Sequence, residues 1–139
     1  MRYIGLDLGA KTLGVSLSDN TGLIASFYKN IRYENEDELI LEIDKIIKEN
    51  NVNEIVLGYP KNMNNTVGER ALITENFKNK LENLGYTVHL EDERLTTKVA
   101  ESVLVDADLS RKKRKKYIDG VSAVLILQSF LDRKDNTNG

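Results

Sequence analysis

The run Arg2-Tyr3-Ile4-Gly5-Leu6-Asp7-Leu8-Gly9 constrains the fold more than any other stretch of the chain. Tyr3, Ile4, Leu6 and Leu8 make it apolar on both faces, the pattern of a strand buried in the middle of a sheet. One carboxylate, Asp7, stands among them. Desolvation disfavours a bare charge there unless something pairs with it. Gly9-Ala10-Lys11-Thr12 reads as a tight turn, and Leu13 to Leu17 as a returning strand. The chain therefore opens with a hairpin that carries an acid at the end of its first strand. That acid can cap the turn by accepting from Lys11 or Thr12, or it can serve a site.

The remaining elements follow from periodicity. Leu23 to Tyr28 is expected to be a third strand. Leu39, Ile40, Ile43, Ile46 and Ile47 recur at helical spacing, giving an amphipathic helix from Glu36 or Asp37 to about Glu49. Val52 to Gly58 is a short apolar strand. Thr66-Val67-Gly68-Glu69 has the capping-box pattern, so a helix is expected from about Val67, carrying Ala71, Leu72, Phe77, Leu81 and Leu84 and stopped by Gly85. Tyr86 to Leu90 is a further strand. Thr96 or Thr97 can cap a helix to about Val105, and a last helix is expected from Arg111 to Leu131. Three meandering strands followed by strand–helix alternation predict an α/β fold, a five-stranded mixed sheet with helices on both faces. One domain is expected over residues 1–134, with 135–139 a frayed tail.

Composition narrows the chemistry. There is no cysteine and a single histidine, His89, which excludes a disulfide framework, a thiolate metal site and a His-rich centre. His89 itself is expected on a strand surface. No apolar stretch approaches the roughly 20 residues that span a bilayer, and the chain starts directly with a strand. A cytoplasmic protein without membrane contact is therefore expected.

Sites in open α/β sheets form outside the carboxyl ends of the parallel strands. Asp7, the acidic cluster 91–93 and the loop 59–66 all fall at such ends, and Asp119 lies where the last helix turns from basic to apolar. Acids from separate elements meeting at one sheet end suit Mg²⁺ or Mn²⁺, which take carboxylate and water ligands. Two such ions can activate water and stabilise the leaving oxygen of a phosphodiester.

Arg111-Lys112-Lys113-Arg114-Lys115-Lys116 places six cations at a helix start, the end where the helix dipole disfavours them. Folding alone does not explain that run, but a docked polyanion would, since helix N-termini also bind phosphate. Lys11, Lys61, Asn62, Arg70, Arg94, Thr96 and Thr97 offer further donors, of the kind that position nucleic acid without reading its sequence.

With these residues in view, the sequence resembles the YqgF/RuvX family, pre-16S rRNA nucleases also described as Holliday-junction-resolvase-like. The resemblance rests on Gly5-Leu6-Asp7-Leu8-Gly9; on Leu57-Gly58-Tyr59-Pro60 with Gly68-Glu69-Arg70-Ala71; on Asp92-Glu93-Arg94-Leu95-Thr96-Thr97, the most specific run; and on Tyr117-Ile118-Asp119-Gly120-Val121-Ser122-Ala123. It covers almost the whole chain. It implies an RNase H-like fold and metal-dependent phosphodiester cleavage by Asp7, Glu93 and Asp119, with Asp92 the alternative to Glu93. It also implies precursor 16S rRNA as substrate and ribosomal particles as surroundings. Apart from the resemblance, a monomer or weak dimer is expected, since residues 23–30 can form an exposed strand edge. Gly120 departs from the family pattern, where alanine or a larger residue is expected. Other readings are a Holliday-junction-resolvase-like DNase, a catalytically silent nucleic-acid-binding module, and a fragment of an actin-like sugar kinase, whose fold also opens with Asp-x-Gly and a hairpin.

Overall fold

The computed structural model describes residues 1–60, 68–92 and 111–138, with the backbone alone over 111–120 and 135–138. Five strands and three helices follow in the order β1 (Tyr3–Leu8), β2 (Thr12–Ser18), β3 (Ala25–Arg32), α1 (Glu36–Glu49), β4 (Glu54–Tyr59), α2 (Glu69–Asn83), β5 (Val88–Asp92) and α3 (Arg111–Asn138). The sheet order is β3-β2-β1-β4-β5. β1, β2 and β3 pair antiparallel, whereas β4 and β5 extend the sheet parallel to β1. The mixed five-stranded sheet expected from the sequence is present, and β1 lies at its centre.

Each face has its own core. Ile4, Leu6, Leu8, Ile55 and Leu57 pack against Leu39, Ile43, Phe77 and Leu81, so α1 and α2 cover one side. Tyr3 and Val56 pack against Ile126, Leu127, Phe130 and Leu131 of α3 on the other. The strands alternate between these two cores, as period-2 geometry requires.

α1 buries the five residues that its periodicity marked, Leu39, Ile40, Ile43, Ile46 and Ile47. Its N-cap is Asn35, whose side chain accepts from the amides of Asp37 and Glu38 at 2.8 and 3.3 Å. The acids Glu36, Asp37 and Glu38 then fill the first turn, where the helix dipole favours them.

Three boundaries differ from expectation. β3 spans Ala25–Arg32 and not 23–28, because its pairing with Thr12 to Ser18 of β2 sets the ends. α2 starts at Glu69 with Gly68 as N-cap, two residues later than expected, and Thr66 of the capping-box pattern lies outside the described residues. α3 runs past Leu131 to Asn138. Gly85, at φ 98°, stops α2 as expected, with amides 85 and 86 returning to the carbonyls of Glu82 and Leu81. The helix expected near 96–105 lies outside the described residues.

Candidate active site at the end of the central strand

Asp7 is the second-to-last residue of β1 and is half-buried. Alternation puts it on the α3 face with Tyr3 and Gly5. Its antiparallel partner on β2 is Gly14. On the other side, Leu6 pairs with Leu57 and Gly58 pairs with Glu91, so Asp7 stands level with Gly58. The row across the sheet therefore reads Gly14, Asp7, Gly58, Glu91. Neither immediate neighbour carries a side chain, which leaves lateral room beside the carboxylate that bulkier residues would fill.

The approach of α3 is set two residues earlier. A Cβ at Gly5 would lie 2.4 Å from Ser16 Oγ, 2.7 Å from Leu127 Cβ and 3.1 Å from the carbonyl oxygen of Ala123. Only glycine permits the helix to come this close. Ser16 is fully buried and donates from Oγ to the Ala123 carbonyl at 2.8 Å. Phe130 meets Tyr3 edge-on at 5.5 Å between ring centres, while Ala123 and Leu127 meet Gly5. Along β1 from Tyr3 to Asp7, the helix thus runs back from 130 toward 120. The helical turn that precedes Ala123, which contains position 119, continues toward the Asp7 end.

Polar contacts hold the strand end itself, beginning with the Gly9 amide, which donates to the Thr12 carbonyl at 2.8 Å. Arg70, from the first turn of α2, donates Nη2 to the Leu8 carbonyl at 2.6 Å. The Tyr33 hydroxyl donates to the Gly9 carbonyl at 2.5 Å, and the Tyr33 amide donates to the Lys11 carbonyl at 3.0 Å. Burial pushes the Tyr33 phenol up from its ordinary pKa, opposed by the Arg70 charge, so it stays a donor. Arg70, expected among the phosphate contacts, is thus already engaged with the strand that carries Asp7. Lys11 is exposed at the turn beside it.

Two acids of the 91–93 cluster can be placed. Val88 joins the core on the α1/α2 side, and alternation sets Leu90 and Asp92 on that face, away from Asp7. His89 and Glu91 take the α3 face. Glu91 is 5% exposed. Its Oε1 accepts from Arg133 Nη1 at 2.9 Å and from Ser129 Oγ at 3.3 Å. Its Oε2 lies 2.7 Å from Arg133 Nη2, an ionic contact without hydrogen-bond geometry. Glu91 therefore ties β5 to α3. Only the pairing of the strands and the 129/133 spacing on the helix together reveal this role, which the sequence alone did not single out. His89 is not a bare surface residue either: Nε2 sits 2.8 Å from Glu54 Oε1, and its ring lies 4.9 Å from that of Phe130.

Lys61, Asn62, Glu93, Arg94, Thr96 and Thr97 lie outside the described residues. Lys112, Lys113, Lys115, Lys116 and Asp119 lie within the helical backbone of α3, whose first turn holds no acid. Among the described residues no three His, Asp or Glu side chains come together as a metal-binding group, and no helix is long and apolar enough to cross a membrane.

Comparison with known proteins gives the family and the fold. The family model described as RuvX, Holliday junction resolvase, matches residues 1–133. The chain belongs to the RuvX family. Relatives provisionally named pre-16S rRNA nuclease include one from Shouchella clausii, 50% identical over 140 residues and covering 99% of both chains. One from Oceanobacillus iheyensis is 47% identical over 137 residues, covering 96% of this chain and all of the relative. The fold of this RuvX-family chain is RNase H-like. It is similar to T. thermophilus RuvC in complex with a Holliday junction substrate, with a TM-score of 0.57, 13% identity and 96% of both chains covered. The fowlpox virus resolvase in its Holliday junction complex gives a TM-score of 0.56 at 14% identity, covering 96% of this chain and 98% of that one. A ROK family protein from Streptococcus pneumoniae gives 0.52 at 16% identity, over 79% of this chain and only 40% of that one. Membership of the RuvX family over residues 1–133 displaces the reading as a fragment of an actin-like sugar kinase.

Proposed function

We propose that this RuvX-family chain is a divalent-metal-dependent nuclease that cuts structured RNA in the cytoplasm, with precursor 16S rRNA as its substrate on ribosomal particles. The observation that carries the reading is Asp7: a half-buried carboxylate at the end of the central strand, between two glycines, under a helix seated as closely as Gly5 allows. The names of relatives about half identical over nearly the whole chain support the substrate.

The donor chemistry fits a hard cation. The chain has no cysteine, and His89 is engaged by Glu54, so oxygen ligands are what the Asp7 end can offer. Asp7, Glu93 and Asp119 would hold Mg²⁺ or Mn²⁺. When bound, the ion supplies an activated water and neutralises charge on the phosphodiester. Between the two candidates beside β5, the placement of Asp92 on the α1/α2 face, away from Asp7, supports Glu93.

The remaining residues bind and orient. Arg70 and Tyr33 fix the carbonyls of Leu8 and Gly9, and with them the direction of Asp7. Lys11, Lys61, Asn62, Arg94, Thr96, Thr97 and the cations Lys112, Lys113, Lys115 and Lys116 hold the phosphate backbone.

The test is cleavage of precursor rRNA, single-stranded RNA and a four-way DNA junction with Mg²⁺ or Mn²⁺. Asp7→Asn and Asp119→Asn are expected to lower the rate by at least about a hundredfold, the scale of losing an electrostatic contribution to the transition state. Circular dichroism and nucleic-acid binding should stay near wild type. Unchanged cleavage by both pure variants would overturn the site, and faster cleavage of the junction than of either RNA would overturn the substrate.

A further inference from the structure

The edge of the sheet at β3 carries an unassigned surface. β3 ends the sheet order, so the outer row of its backbone N–H and C=O groups meets no described strand. Such a row is a template for another strand unless it is blunted. The large apolar side chains left exposed concentrate beside it. Leu23 is 51%, Ile24 62%, Phe27 53% and Tyr28 40% exposed, and Leu41 of α1, at 69%, lines the same groove as Tyr28. Among the described residues, the other exposed large apolar side chains are Leu72, Leu84 and Leu90, which lie elsewhere in the chain, and Met1, whose amino group donates to the Asn20 carbonyl at the turn before β3.

We propose that the β3 edge is a two-fold interface between two copies of this chain. Edge strands are commonly protected by lysines, but Lys29 is held by Glu42 of its own α1 at 3.1 Å. The groove between β3 and α1 bears both signs, Lys29 and Lys45 with Glu42 and Glu49. A polyanion gains little from such a balance, whereas a two-fold copy presents the same mixture in reverse order. A specific interface buries roughly 1,000 Å² or more in total, about half from each partner. Five large side chains, each 40–69% exposed, are on that scale. The register shift between Val15 and Ser16 leaves Tyr28 as the extra residue of a bulge. Pairing is regular on either side of it, from Ala25 to Phe27 and from Lys29 to Arg32.

Antiparallel pairing about an axis normal to the sheet joins two five-stranded sheets into one. At about 4.8 Å per strand step, the two β1 strands would lie about 24 Å apart, with their Asp7 ends pointing in opposite directions. Each candidate site would then be complete within its own copy, and the interface is independent of the cleavage reading.

Sedimentation velocity on the full chain tests the proposal at up to about 100 µM, where an interface of standard size would be populated. The expected result is a reversible dimer, with amides of β3 exchanging hydrogen more slowly as concentration rises. Ile24→Lys and Phe27→Lys change exposed side chains and should keep the monomer's circular dichroism while raising the dissociation constant at least about tenfold. Leu72→Lys, at an equally exposed position on α2, should not. A monomer at about 100 µM, a dimer unaffected by both edge substitutions, or equal weakening by Leu72→Lys would each overturn the proposal.

Discussion

What position 5 lacks decides how closely α3 lies on β1, and so how near the turn containing Asp119 can come to Asp7. The atoms facing Gly5 are a core leucine Cβ, a helix carbonyl and a buried hydroxyl that is already bonded. None is the loose end of a flexible side chain. Gly5→Ala must therefore move the helix or turn Ser16 away from Ala123. Overpacking of this kind costs typically 1–3 kcal/mol, and the displacement should also weaken metal binding. The expected outcome is a folded protein with a lower melting temperature and at least about tenfold slower cleavage, together with weaker Mn²⁺ binding by calorimetry. Ser16→Ala removes one hydrogen bond, worth about 1 kcal/mol, and should be milder because no group is forced into occupied space. Wild-type melting and wild-type Mn²⁺ affinity in Gly5→Ala would show that this contact does not set the site.

Among the elements, the turn between β2 and β3 links the sheet to α3. Asp19 accepts from the Thr21 hydroxyl and from the amides of Leu23 and Ile24. The turn presents the Leu23 carbonyl and the Ala25 amide to Gln128 of α3, each at 2.9 Å. The Thr21 hydroxyl first, then the two amides, hold the Asp19 carboxyl down to about 2. A carboxyl with a lowered folded pKa contributes stability above its ordinary value, here 3.8, and loses it as pH falls through 2. The Asp19→Asn variant should thus lose less of its melting temperature than wild type between pH 4 and pH 2; parallel losses would discount the turn. Elements with strong local signals were legible in the sequence: α1 buries the five residues that its period marked, and Gly85 ends α2. The ends of β3 and the start of α2 were not. Strand pairing with β2 fixes the first, and the second lies at Gly68, a residue without a side chain, whose carbonyl accepts from the amides of Ala71 and Leu72.

At the scale of the whole molecule the chain is nearly neutral, with a net charge of −2, yet six consecutive cations begin α3. Asp7 was legible because a lone acid in an apolar strand is conspicuous. The row Gly14, Asp7, Gly58, Glu91 was not, because it joins residues from four strands and exists only once the register is set. Likewise Glu91 looked like one more acid of a cluster until β5 was seen to pack under Ser129 and Arg133. The cationic run was legible as an oddity: no acid offsets it in the first turn, and the helix dipole adds to the mutual repulsion there. If that conflict is maintained for phosphate binding, part of the affinity for nucleic acid must come from counterion release. Each phosphate neutralised contributes about 0.9 to the slope of log affinity against log salt for a duplex, and about 0.7 for a single strand. Changing Lys112, Lys113 and Lys115 together to Gln should then flatten the slope by about 2–3 units if all three touch phosphate. Affinity should fall most at low salt, and the melting temperature should hold or rise as repulsion at the helix start is relieved. The measurement is a salt titration of RNA binding by fluorescence anisotropy for both proteins. An unchanged slope would make the run a solvated face, and binding would then have to be sought in the donors around Lys11 and Arg94.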